Sequence, residues 1–100
     1  MREYELYLVM DAEAEQEAVS ATVEKLTQLI VAGSGETNGQ VIKVDTRGKR
    51  RLAYPIRKRV EGQDIVLTFQ TPPPVLAELE RFLKLNEQVF RHLIVRTDEV

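Results

Sequence analysis

Apolar and polar positions alternate at the start of the chain, where Tyr4, Leu6, Leu8 and Met10 are offset by one from Glu3, Glu5, Tyr7 and Val9. A period of two with one wholly apolar set predicts a strand packed on one face. The period then changes. From about residue 14 to residue 32, Val19, Val23, Leu26 and Ile30 recur at steps of three and four, which predicts an amphipathic helix. Asp11 is positioned to cap it, Glu13, Glu15 and Glu17 complement the positive end of its dipole, and Gly33 ends it.

Beyond the loop at residues 33–39, a second strand is predicted over residues 40–45, resuming at 51–54 after an interruption at Gly48. Pro55 has no N–H to donate and marks a sheet edge or the end of ladder pairing. A third strand covers residues 63–71, with Ile65, Leu67 and Phe69 on one face and Asp64, Val66, Thr68 and Gln70 on the other. Pro72, Pro73 and Pro74 introduce a second helix, in which Val75, Leu76, Leu79, Phe82 and Leu83 share a face up to about Leu85. The last strand, residues 89–97, is ambiguous: Val89, Leu93 and Val95 alternate with Phe90, His92 and Ile94, and both sets are apolar.

The order βαββαβ predicts an α+β, ferredoxin-like domain over residues 1–100, a four-stranded antiparallel sheet with two helices on one face. Within it, the first and third strands are expected side by side at the centre and running parallel. That placement gathers Arg2, Arg57, Lys58, Arg59 and Arg96 at one end and leaves residues 11–17 at the other.

Charge gives the pattern a function. Of the 14 lysines and arginines, seven (Arg47, Lys49, Arg50, Arg51, Arg57, Lys58 and Arg59) fall within residues 47–59, which contain no acid, although the chain carries a net charge of −2. Residues 3–36 are the reverse, with Glu3, Glu5, Asp11, Glu13, Glu15, Glu17, Glu24 and Glu36 against Lys25 alone. A concentrated basic stretch on an acidic chain points to a polyanion as ligand. Tyr54 inside the stretch is a candidate for stacking on a base or sugar, against its plainer reading as a packing residue. On the face away from the helices, Tyr7, Val9, Val66 and Thr68 form a candidate protein-binding patch.

Other chemistry is poorly represented. The chain has no cysteine and a single histidine, His92, so a His/Cys metal cluster has no ligands. No apolar run is long enough to cross a bilayer, and the first residues are too charged for a secretory signal, so the protein is read as soluble and cytoplasmic. The glycine-rich loop at 33–39 follows a helix and lacks the lysine and hydroxyl ending of a phosphate loop. No nucleophile, base and orienting group come together, so neither an enzyme nor a cofactor is expected.

Several segments together carry a family likeness. Met1-Arg2-Glu3-Tyr4-Glu5 opens the first strand, Gly48-Lys49-Arg50-Arg51-Leu52-Ala53-Tyr54-Pro55-Ile56 lies in the hairpin, a proline-started helix follows, and the last strand reads Val89-Phe90-Arg91-His92-Leu93-Ile94-Val95. Together they resemble bacterial small-subunit ribosomal protein six over almost the whole chain. The resemblance implies a non-catalytic protein that binds the central domain of small-subunit ribosomal RNA as a heterodimer with ribosomal protein eighteen. On that reading Arg2, Lys49, Arg50, Arg51, Tyr54, Arg57, Lys58, Arg59 and Arg91 face RNA, and Tyr7, Val9, Val66 and Thr68 face the protein partner. The loop at 33–39 is longer than the usual connection in that family. The competing reading is a ferredoxin-like regulatory module that binds a small anion at a basic pole; an acyl-phosphate hydrolase on the same topology ranks last, because the residues after Met10 are acidic.

Overall fold

The computed structural model describes residues 2–35, 37–56 and 58–97. The elements run β1 (Arg2–Asp11), α1 (Gln16–Ala32), β2 (Gln40–Ile56), β3 (Arg59–Thr71), α2 (Val75–Leu85) and β4 (Val89–Arg96). The expected βαββαβ order is present. The strands form one sheet in the order β2-β3-β1-β4, antiparallel at every junction.

The expected parallel pairing of β1 with β3 is overturned. β1 and β3 run antiparallel, with Arg2 opposite Thr71 and Asp11 opposite Gly62. Connectivity requires this: the crossover through α1 leaves β1 and β2 pointing the same way, and the hairpin reverses β3 before it inserts between them. Arg2 therefore lies at one end of the sheet and the β2–β3 turn at the other, beside Asp11. Arg96, opposite Tyr4, shares the end of Arg2.

The predicted alternation in β1 holds throughout. Tyr4, Leu6, Leu8 and Met10 are buried beneath the helices with Ile65, Leu67 and Phe69 of β3, and the Tyr4 and Phe69 rings lie 5.6 Å apart. From α1 come Val19, Leu26 and Ile30, and from α2 come Val75, Leu79 and Leu83. The hydrophobic pattern does not mark Thr22, also buried, whose hydroxyl donates to the Ala18 carbonyl at 2.9 Å and accepts from Asn86 Nδ2 at 3.2 Å.

Asp11 does not cap α1. Its Oδ1 instead accepts the Glu13 N–H at 3.0 Å, closing a turn, and the helix begins after Glu15 with no side-chain cap. β2 also departs from expectation, being continuous through Gly48 rather than interrupted there. The ladder absorbs the irregularity as a register shift between Thr46 and Gly48, where Gly48 takes φ 87°, a conformation that costs a residue with a Cβ. Regular pairing lapses between Arg51 and Ile56, around Pro55, on what is an edge strand. Ile56 pairs with Arg59, and Lys58, just before Arg59, is left-handed at φ 67°.

β4 has a shift of its own. Val9 faces Arg91, but the next residue of β1, Met10, faces Val89, so Phe90 is the extra residue of a bulge. Val89 joins the core on the helix side, while beyond the bulge His92 and Ile94 take that side and Arg91, Leu93 and Val95 turn to the open face. His92 Nε2 lies 2.7 Å from Glu80 Oε2 of α2, tying the strand to the helix layer.

Candidate nucleic-acid interface

The basic hairpin is not a uniform cloud of positive charge. Arg47 Nε lies 3.2 Å from Asp45 Oδ2, and Arg50 Nη1 lies 3.2 Å from Asp64 Oδ2. Arg59 engages Asp11 Oδ2 at 3.5 Å and also Glu13 Oε2. The Arg59 contacts follow from the antiparallel register, which delivers the acidic end of β1 to the start of β3. Among the described residues, Lys49, Arg51, Lys58 and Arg91 have no carboxylate within ion-pair distance. Within the hairpin and on β4 beside it, these side chains are available to an external anion.

Arg91 belongs to this group although it lies on β4, three strands away from β2 in the sheet. The distal part of β2 folds across the open face, so that Val9, Leu52, Tyr54, Ile56 and Arg91 line one small cavity of about 60 Å³. Gly62 permits the close approach: a Cβ there would come within 2.7 Å of Val9 Cγ1 and 3.2 Å of Leu52 Cδ2. At the tip of this overlap the Arg91 guanidinium carbon stands 4.6 Å from the centroid of the Tyr54 ring, a cation–π contact.

The residues singled out from sequence therefore divide. Lys49, Arg50, Arg51, Tyr54, Lys58, Arg59 and Arg91 come together around the hairpin. Arg2 does not; it and Asp11 stand at the two ends of the ten-residue β1, a span of about 30 Å at the rise of an extended strand. Arg57 lies outside the described residues.

The open face beside the hairpin carries two informative rows. Leu93, Tyr7, Val66 and Asp45 lie opposite one another across all four strands, and Arg91, Val9, Asp64 and Gly48 form the next row toward the hairpin. Tyr7 is 39% exposed and Leu93 60%, whereas Val66 is only 6% exposed. Thr68 lies one row further on, between Glu5 and Lys43. Leu93 and Val95 extend the apolar patch beyond the four residues identified from sequence, and the bulge at Phe90 is what hid them. The His92–Glu80 contact across the helix layer is the signal that fixes the phase, since it assigns His92 inward and its neighbours outward.

Comparison with known proteins identifies the family and agrees with the fold. The family model for ribosomal protein S6 matches residues 3–96. The chain is 46% identical over 99 residues to small ribosomal subunit protein bS6 of Moorella thermoacetica, covering 99% of this chain and 97% of that protein. It is 41% identical over 98 residues to the bS6 protein of Streptomyces griseus, covering 98% of each. The crystal structure of 30S ribosomal protein S6 from Thermotoga maritima superposes with a TM-score of 0.83 at 28% identity, covering 96% of this chain and 87% of that one. A match to the family model over nearly the full length, with near-complete relatives at this identity, means that the chain belongs to the ribosomal protein S6 family and is a structural protein of the small ribosomal subunit, not an enzyme.

Proposed function

We propose that this protein binds the central domain of small-subunit ribosomal RNA as a heterodimer with ribosomal protein eighteen, the hairpin contacting RNA and the open face holding the partner. The observation that carries the reading is that Arg50 and Arg91 line one pocket on the open face with Tyr7 and Leu93, while Lys49, Arg51 and Lys58 carry the positive charge of the hairpin around to its other side. Arg50 and Arg59 reinforce the local potential while held by their carboxylates, and Tyr54 and Arg57 belong to the same segment. Arg2, with Arg96, supplies a second and separate contact at the far end of β1.

Partner dependence follows from the charge balance. A chain of net charge −2 neutralises few phosphates through one basic hairpin, and its acidic surface repels a polyanion. A basic partner seated on Tyr7, Val9, Val66 and Thr68 adds phosphate contacts of its own and converts two weak associations into one strong one through effective concentration. The test is a titration of small-subunit ribosomal RNA with this protein alone, with protein eighteen alone and with both, at several salt concentrations. Tight, salt-sensitive binding by the pair and weak binding by each alone is the expected result. Tight, specific binding by the isolated chain would refute partner dependence.

A further inference from the structure

Arg91 differs from the arginines of the hairpin in what holds it. Arg47, Arg50 and Arg59 direct N–H donors at carboxylates, so an incoming phosphate must compete for those donors. Arg91 is held by the face of an aromatic ring, with its guanidinium carbon 4.6 Å from the Tyr54 centroid. The ring face engages the charge of the guanidinium without a carboxylate acceptor, so N–H donors of Arg91 remain for a bidentate contact with phosphate. It also fixes in the free protein a long side chain that would otherwise lose rotamer freedom on binding.

The surroundings support a built arrangement rather than a chance contact. Tyr54 comes from β2 and Arg91 from β4, the two edges of the sheet, and they meet only because the distal hairpin crosses the open face over Gly62 and Val9. Register independently puts Arg91 opposite Val9, on the same face. We propose that Tyr54 is a positioning residue whose ring holds Arg91 as a preorganised phosphate-binding fork for RNA. This rests on the reading of the hairpin as an RNA-binding element, and gives Tyr54 a role through Arg91 instead of through a stacked base.

The experiment is a double-mutant cycle on binding of small-subunit ribosomal RNA by the protein with protein eighteen, read as affinity against salt concentration. Arg91→Ala should lower the salt slope by about one unit. Tyr54→Leu should weaken binding roughly two- to fivefold, the scale of one exposed cation–π contact, and Tyr54→Phe, which keeps the ring, should restore it. In the Arg91→Ala background, Tyr54→Leu should add no further loss. In the free protein, the Arg91 Nε–H resonance should be shifted upfield by the ring current, and the shift should vanish in Tyr54→Leu but persist in Tyr54→Phe. Wild-type affinity in Tyr54→Leu, an additive loss in the double variant, or an unshifted Arg91 resonance overturns the inference while leaving the RNA-binding reading intact. Loss of association with protein eighteen in Arg91→Ala without a change in salt slope overturns it in favour of a protein contact. Absence of salt-sensitive RNA binding by the wild-type pair overturns both readings.

Discussion

The Arg59 guanidinium lies 3.5 Å from the Asp11 carboxylate, so the base of the basic hairpin is fastened to the acidic loop between β1 and α1. Glu13 joins the same guanidinium. The most basic and most acidic segments of the chain thus meet, and part of the positive charge of the hairpin is spent internally.

Releasing that charge should be measurable. Glu13→Gln frees one side of Arg59 and removes a repelling carboxylate, so affinity for ribosomal RNA in the presence of protein eighteen should rise and its salt slope should steepen by up to about one unit. The pair is solvent-exposed, so unfolding free energy should fall by less than about 1 kcal/mol. Denaturant unfolding and salt-dependent titration check the two halves; an RNA affinity unchanged at every salt concentration would count against internal neutralisation.

Arg50 and Arg51 are neighbours with opposite assignments. Arg50 pairs with Asp64 through a solvent-exposed guanidinium, so Arg50→Ala should destabilise the fold by up to about 1 kcal/mol by leaving Asp64 without its cation. Adding Asp64→Ala should recover part of that loss. Arg51→Ala should change stability by no more than about 0.5 kcal/mol while lowering the RNA salt slope by about one unit. Equal effects of the two single substitutions on both stability and slope would refute the distinction.

The partner surface is best probed where a charge does not damage the sheet. Leu93 is 60% exposed, so Leu93→Glu should leave stability within about 0.5 kcal/mol yet weaken association with protein eighteen at least tenfold by desolvating a carboxylate in the contact. Val66→Glu is a different experiment. At 6% exposure it places a charge in a packed site opposite Tyr7 and should cost about 3 kcal/mol or more in folding before any partner is added. Calorimetric titration alongside thermal unfolding separates the two outcomes.

Gly48 tests the bulge. Its φ of 87° is unfavourable for an L side chain although open space surrounds the position, so Gly48→Ala should destabilise by about 1 kcal/mol through backbone conformation alone, lowering Tm by about 4–8 °C. A Tm unchanged within error would show that the hairpin relaxes around the substitution.

What was legible in the chain depended on whether burial wrote it there. β1 and the first part of α1 announce themselves because a face of each is committed to the core, and apolar residues recur at the period of that face. β2 is held mainly by backbone pairing to β3 and buries none of its side chains, so its passage through residues 46–50 left no hydrophobic trace. In β4 a single extra residue, Phe90, reverses the alternation midway, and an uninterrupted period of two assigns either Val89 or Leu93 to the wrong side. The direction of β3 was available, but from connectivity rather than from residue type. The Tyr54–Arg91 contact joins positions 37 apart in sequence across a curved sheet, and no local pattern encodes it.

The antiparallel registration of β1 with β3 also turns the sheet into a ruler. Arg2 and the hairpin end of β1 are about 30 Å apart along the central strand. A polyanion that touched both ends of β1 would have to bridge that distance, and a ligand much shorter than the strand can engage only one end of the sheet.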